Sequence, residues 1–372
     1  MLDKNTEALL YLIKLGLGGK VDKKEFYDFD WNAIFKLTTK HGVTAIVVDG
    51  LQHLHKNGCS VLKTDSGKQI RLQMFAQTMA IERQYYSYLK KMTELLAFYQ
   101  QHGVQTMILK GYGLSLNYPH PAHRPPGDID VYHFGQGKTA DECLKDVLNI
   151  TTKQNEDKHS TFIYKGLSVE NHAVFVNNEC HPTLQSLEQF FEKDAKNAIS
   201  YDLKLNQEEK VTMFTPSVTT NALFIPLHLA EHFVHGEASL RQVCDWYCFV
   251  KAHHIDIDWD IIESKSKEAG FFDFLCYLNN IIHKYFGADA TWLPQWKCDI
   301  KLSERVLSEI LYPSTIPANM SLWDKTCKFF ASKWKFDLVY SHENILMASF
   351  RQARAYRRVK WDKNGVSIWK KH

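Results

Sequence analysis

Long apolar runs are missing from this 372-residue chain, and none reaches the roughly 18 residues that a membrane-spanning helix requires. No membrane span is therefore expected. The eight cysteines are scattered and no two form a Cys-x-x-Cys pair, so neither a zinc ribbon nor a thioredoxin-type redox site is expected. Nothing resembles a small disulfide scaffold, and reduced thiols in a cytoplasm are the economical reading. The first residues, Met1-Leu2-Asp3-Lys4-Asn5-Thr6-Glu7, carry acids and lack the apolar centre of a signal peptide. There is no internal repeat of fixed period and no low-complexity tract. A dominant charge is missing too: the formal net charge is +3, which does not mark the whole molecule as a polyanion binder.

What is present is enough apolar material for well-packed cores, 45% hydrophobic and 13% aromatic residues, in a chain long enough for two or three domains. Residues 1–102 read as an N-terminal helical region. Thr6 to Leu17 has helical apolar spacing that stops at Gly16, Gly18 and Gly19. Asp30 is an N-cap candidate for a helix beginning at Trp31, interrupted at His41-Gly42-Val43 and resumed from Thr44 to Leu54. Lys68 to Gln101 forms one long periodic stretch ending at His102-Gly103.

From Val104 the period changes, and residues 103–182 read as a sheet-containing core. Val104 to Leu109 is a strand, Thr139 to Leu148 a helix, and Thr161 to Phe175 a hairpin turning near Lys165-Gly166. Residues 183–322 read as a C-terminal helical domain: Leu184 to Ile199, then Thr219 to His235 continuing past Gly236 into Leu240 to Ala252, then Trp259 to Gly270, Phe272 to Phe286 and Leu302 to Leu311. The segment 323–372 holds twelve Lys and Arg against four Asp and Glu, leaving the rest of the chain at about −5. There Arg351, Arg354, Arg357, Arg358 and Lys360 interleave with Phe350, Tyr356 and Trp361. This is the pattern of a basic amphipathic helix making a weak contact with an anionic surface, membrane or nucleic acid, and equally of a solvated helix face.

The chemistry concentrates between Met107 and Val131. An apolar run closes on Lys110-Gly111, and a loop rich in proline ends at Pro125-Pro126-Gly127. A second short strand, Asp128-Ile129-Asp130-Val131, follows. Strand alternation puts Asp128 and Asp130 on one face and Ile129 and Val131 on the other. Adjacent carboxylates repel unless a cation lies between them, and a two-metal phosphoryl or nucleotidyl transfer site requires such a pair. In the second arm of the hairpin, Ser168, Glu170 and His172 share a face, which makes Glu170 the natural third acid. Lys110 and Arg124 are the nearest cations for phosphate oxygens. The plainer alternatives are a solvated acid pair, a surface lysine and a structural salt bridge.

On the helix from Pro226 to His235, His228, His232 and His235 share a face. Glu231 suggests zinc, but no downstream ligand set supports it, and histidines lining a cleft beside the sheet are the better reading. Arg241 and Asp245 either close that cleft or pair within the helical bundle.

The run Leu109-Lys110-Gly111, then Tyr118-Pro119, then Arg124-Pro125 and Gly127-Asp128-Ile129-Asp130-Val131 resembles the uncharacterised nucleotidyltransferase family of bacteria, within the polymerase-beta-like superfamily. The similarity extends to Trp31–Leu51, to Val169-Glu170-Asn171-His172 and to the His228–Trp246 helices, covering roughly residues 25 to 250. It implies an α+β fold, a small mixed β-sheet core flanked by N-terminal helices and a C-terminal helical domain. It implies Asp128, Asp130 and Glu170 as catalytic acids and metal ligands, and Mg²⁺ or Mn²⁺ as cofactor. Lys110, Gly111 and Arg124 would border the phosphates of an ATP-like nucleoside triphosphate, and Gly113, His172, Arg241 and Asp245 are further candidates for holding the nucleotide. The expected activity is transfer of an NMP from an NTP to a hydroxyl of an unidentified small molecule, peptide or protein. One departure stands out: Gly111-Tyr112-Gly113 replaces the usual Gly-Gly or Gly-Ser turn, with a longer spacer before the acids. A catalytically weak nucleotide-binding module, regulatory or interacting, is the alternative that this departure favours.

Overall fold

A computed structural model describes residues 2–21, 29–58, 65–155, 159–314 and 331–361. Helix α1 (Lys4–Gly16) is capped by Asp3, and α2 (Trp31–His41) by the side chain of Asp30. Helix α3 (Thr44–Lys56) crosses α1 at very close range. A Cβ on Gly16 would lie 1.9 Å from the Ile46 carbonyl oxygen, and one on Gly50 would lie 2.1 Å from that of Leu12. Gly16, the last residue of α1 as the sequence suggests, is also the crossing residue; no side chain fits there.

The long helix α4 (Asp65–Gln101) lies along one face of a seven-stranded mixed sheet. The strands are β1 (Met107–Ile108), β2 (Ile129–Tyr132), β3 (Lys153–Asn155), β4 (His159–Tyr164), β5 (Leu167–His172), β6 (Ile199–Lys204) and β7 (Lys210–Thr215), in the order β3-β4-β5-β2-β1-β7-β6. The β2–β5 and β1–β7 pairs are parallel and the rest antiparallel. Short α5 (Tyr112–Ser115) follows β1, and α6 (Gly137–Leu148) follows β2.

Two corrections to the sequence reading concern this sheet. The run Val104–Leu109 pairs regularly only at Met107 and Ile108. The expected helix Leu184–Ile199 stops earlier: α7 spans Gln185–Asp194, and Ile199 already opens β6. The β6–β7 hairpin therefore extends the sheet beyond residue 182. Its signal is a period of two, with Val211, Met213 and Thr215 buried in alternation along β7. The β4–β5 hairpin matches expectation, with Lys165 and Gly166 both at positive φ in a two-residue turn.

Both faces of the sheet are covered. Ile108, Ile129, Val131, Val169 and Met213 pack against Tyr88, Leu95 and Tyr99 of α4 and Leu144 of α6. Asn171, fully buried on β5, donates to the Asp141 carboxylate of α6 at 2.8 Å, which explains a polar residue in that strand. On the opposite face Met107, Tyr132 and Phe175 meet Phe191 of α7 and Phe224 of α8 (Val218–His235). Gly236 ends α8 in the left-handed region, and α9 (Leu240–His253) starts afresh with a Ser239–Gln242 capping box; the two are not continuous. Helices α10 (Trp259–Ala269), α11 (Phe272–Ile281), α12 (Ile300–Leu311) and α13 (Lys333–Val339) complete a helical core that also takes in α1 and α3. The N-terminal helices thus belong to the same packing unit as the C-terminal ones. His41 of α2 bonds the Leu311 carbonyl of α12 at 3.1 Å.

The last helix, α14 (Ile345–Trp361), is seated by Arg351, which donates to the Cys180 carbonyl at 2.7 Å and to the Glu343 carboxylate. Arg351 is therefore held by the body of the protein and not offered to an anionic surface. Leu346, Met347 and Phe350 are exposed on this helix. The side chains of Arg357, Arg358 and Lys360, and all of residues 362–372, lie outside what the structure describes. Among the described residues no helix is long and apolar enough to cross a membrane.

Candidate functional site

The site is built on strand ends and on two helices, α8 and α9. Parallel pairing of β2 with β5 sets Asp130 directly beside Glu170 and Tyr132 beside His172. Ile129 and Val131 point into the α4–α6 core, so Asp128 and Asp130 are left facing α8. They open into a cavity of about 540 Å³. Lys110, Gly111, Arg124, Asp128, Asp130, Glu170, His172, Arg241 and Asp245 all line it, while Gly113 does not. Gly113 packs instead on Thr215 of β7, where a Cβ would come within 3.0 Å of that side chain.

Asp130 is buried and meets two nitrogens at one oxygen: Lys110 Nζ at 2.7 Å and His172 Nε2 at 3.1 Å. Burial pushes its carboxyl up, but Lys110 and His172 outweigh that and hold it well below the usual carboxylate range. Glu170 is held low by the His172 hydrogen bond against an opposing burial effect, with His159 adding to the lowering. Asp128 goes the other way. Burial raises it first, and the charges of Glu170 and Asp130 add to that. The three acids therefore crowd each other, and the repulsion falls on Asp128. Their oxygens suit a hard divalent ion.

Gly111 carries the chain from β1 into α5 at φ 59° and ψ −113°, a conformation open mainly to glycine. A Cβ there would sit 2.9 Å from the Tyr88 hydroxyl. Tyr88 comes from the middle of α4 and its hydroxyl also approaches the Asp128 carbonyl oxygen, 3.5 Å away. The strand end that presents Lys110 and the chain that presents Asp128 are thus both registered against one buried tyrosine.

Arg124 and Asp245 form a buried bidentate pair, Nε to Oδ1 at 2.7 Å and Nη2 to Oδ2 at 2.9 Å. The Tyr118 hydroxyl donates to the same Oδ1 at 2.6 Å. This ties both ends of the proline-rich loop, residues 118–127, to α9. Asp245 pairs with Arg124 rather than with Arg241, its neighbour one helical turn away. Arg241 is left with one long contact, Nη1 to the Pro125 carbonyl at 3.5 Å, and its buried Nε has no partner among the described residues. Burial and the adjacent Arg124 lower its pKa, while Asp245 and Asp128 oppose that. A guanidinium so placed, lining the cavity, is suited to an anionic group.

His228 and His232 do face the cleft. Lys110 Nζ is 3.4 Å from His228 Nε2, which is 3.2 Å from His232 Nε2. Burial and Lys110 lower the pKa of His232, against the opposing charges of Glu231 and Glu237. His235 and Glu231 also line the cavity. Among the described residues the helix itself supplies no metal-ligand group; the one such group is His159, Glu170 and His172. His159 lies two residues before the hairpin expected from sequence, because β4 already includes it. Its signal is the same period of two: His159 lies opposite His172, and Thr161 opposite Glu170.

Residues 27–287, more than two thirds of the chain, match the model of a family described as "Uncharacterised nucleotidyltransferase". The chain belongs to that family. No curated protein matches it in sequence. It is also similar to a crystal structure of an antigenic nucleotidyltransferase-like protein from Paracoccidioides brasiliensis, at 14% identity over 56% of this chain and 94% of that one. The TM-score is 0.35, too low to carry an argument. The family match covers every strand and every residue singled out above, from Lys110 to Asp245.

Proposed function

We propose that this nucleotidyltransferase-family protein moves an NMP from an NTP to a hydroxyl of an acceptor, with divalent metal held by Asp128, Asp130 and Glu170. The observation that carries this reading is the β2–β5 register, which sets Asp130 beside Glu170 with Asp128 on the same cavity wall. Bound metal would supply charge neutralisation at the phosphates and a more acidic acceptor hydroxyl. The acceptor oxygen bonds to the α-phosphorus while the bond to the bridging oxygen breaks and pyrophosphate leaves. Glu170, the more exposed partner of the Asp130–Glu170 pair, takes the hydroxyl proton. Arg241 meets the polyphosphate, and Lys110 reaches it from the strand end opposite. Arg124 and Asp245 act one step back: they hold the loop that delivers Asp128.

The test is incubation with each α-labelled NTP, Mg²⁺ or Mn²⁺ and cell extract. Labelled product that disappears with Asp130→Asn supports transfer. Nucleotide binding without transfer to any extract component overturns it. That outcome would favour a nucleotide-binding module, a reading supported by the turn of Gly113 away from the cavity.

A further inference from the structure

We infer that the β4–β5 hairpin carries a histidine-containing metal position, formed by His159, Glu170 and His172, that selects a first-row transition ion over Mg²⁺. It shares Glu170 with the acids of the proposed transfer reaction and so rests in part on that reading, but it makes a separate claim. Oxygen-only ligation by three carboxylates would favour Mg²⁺; two imidazoles beside one carboxylate favour Mn²⁺, Co²⁺, Fe²⁺ or Zn²⁺.

The hairpin builds this group from its pairing. His159 and His172 are cross-strand partners, so both rings stand on the face that bears Glu170, with ring centroids 5.3 Å apart. Both turn Nε2 to the same carboxylate. His172 Nε2 is 3.5 Å from Glu170 Oε2, and His159 Nε2 is 3.8 Å from Oε1. One ligand atom from each residue lies within 4.8 Å of the other two. An ion bonded at about 2.0–2.1 Å to nitrogen needs these atoms somewhat closer together, a movement within reach of side-chain torsions. His172 is 2% exposed and Glu170 and His159 are partly open, so the rear of the position is closed and its front faces the cavity. Three protein donors with one open side is the arrangement of a working metal centre rather than a sealed structural one. Asp130, 3.1 Å from His172 Nε2, stands as the neighbour through which this position would adjoin the acid pair.

The experiment uses the full chain stripped with chelator, with Co²⁺ and Mn²⁺ as probes and Mg²⁺ as comparison. Co²⁺ should bind with visible d–d absorption, and Mn²⁺-soaked crystals should show an anomalous peak within bonding distance of both imidazole Nε2 atoms. His159→Asn and His172→Asn should each weaken Co²⁺ by at least about tenfold, the lower limit for changes even outside the ligand shell. His159→Asn, which leaves the His172 contact to Asp130 in place, should alter Mg²⁺ affinity by no more than about twofold, a shift well under 1 kcal/mol. Far-UV circular dichroism identifies a variant that has lost its fold, and the anomalous peak of the unaltered protein then decides. Unchanged Co²⁺ affinity in a folded His159→Asn protein overturns the inference. So does an anomalous peak lying only between Asp128 and Asp130. Imidazole ligation found without nucleotidyl transfer supports this position while removing the transfer reading; transfer found without imidazole ligation does the reverse.

Discussion

Replacing Asp245 by Ala should be among the most damaging single changes in the protein, and more damaging than removing its partner Arg124. Asp245 accepts two guanidinium hydrogen bonds, at 2.7 and 2.9 Å, and the Tyr118 hydroxyl at 2.6 Å. Breaking a buried ion pair from one side costs about 3–5 kcal/mol, because the remaining charge stays buried and unpaired. Here the remainder is unequal on the two sides. Asp245→Ala leaves two buried guanidiniums, Arg124 and Arg241, beside each other with neither paired to a carboxylate. Arg124→Met leaves Asp245 with Tyr118 and with Arg241 close enough to feel its charge. The first change is therefore expected at the upper end of that range and the second at about 3 kcal/mol or less. The double variant should be less destabilised than the sum of the two, by about 2 kcal/mol or more, since neither charge is then stranded. Urea unfolding followed by two probes measures each corner of the cycle. A further sign distinguishes this account from simple loss of packing: pyrophosphate should raise the melting temperature of Asp245→Ala more than that of the parent, because two unpaired guanidiniums invite an anion. Equal cost from the two single changes, with coupling under about 0.5 kcal/mol, would refute the reasoning.

Acid should weaken the fold through its buried histidines. Burial pushes His41 and His133 down to about 4 from 6.5, so the unfolded chain binds more protons between those values and stability falls as pH drops through that window. For one such residue the loss from pH 7 to pH 5 is about 2 kcal/mol, and His133→Asn should flatten the urea-midpoint profile by that amount. Gly111→Ala should cost about 1–3 kcal/mol through its backbone conformation and its clash with the Tyr88 hydroxyl, and should slow any transfer. Adding Tyr88→Phe should recover part of that loss, which thermal unfolding of the two variants would show. Deleting residues 350–372 should abolish any salt-dependent RNA binding, measured by titration at several ionic strengths. Such binding surviving the deletion would place the anion surface elsewhere.

The sequence shows the site's acids more plainly than it shows their cations, and the reason is geometric. Asp128, Asp130 and Glu170 lie on strands, where a period of two fixes the face from neighbours one or two residues away. Ile129 and Val131 mark the core side, so the acid side follows. The same rule applies to His159, which faces His172 across the hairpin, and to the β6–β7 hairpin, whose alternation at Val211 and Met213 is equally plain. Arg124, Arg241 and Asp245 obey no such local rule. Arg241 and Asp245 are one turn apart on α9 and invite pairing from sequence alone. Asp245 pairs instead with a residue 121 positions away, because the proline-rich loop brings Arg124 across the helix in bidentate geometry. That exchange matters for function. A guanidinium matched to Asp245 is used up in holding the loop, and Arg241, released from its obvious partner, lines the cavity, where the proposed reaction would use it for a phosphate.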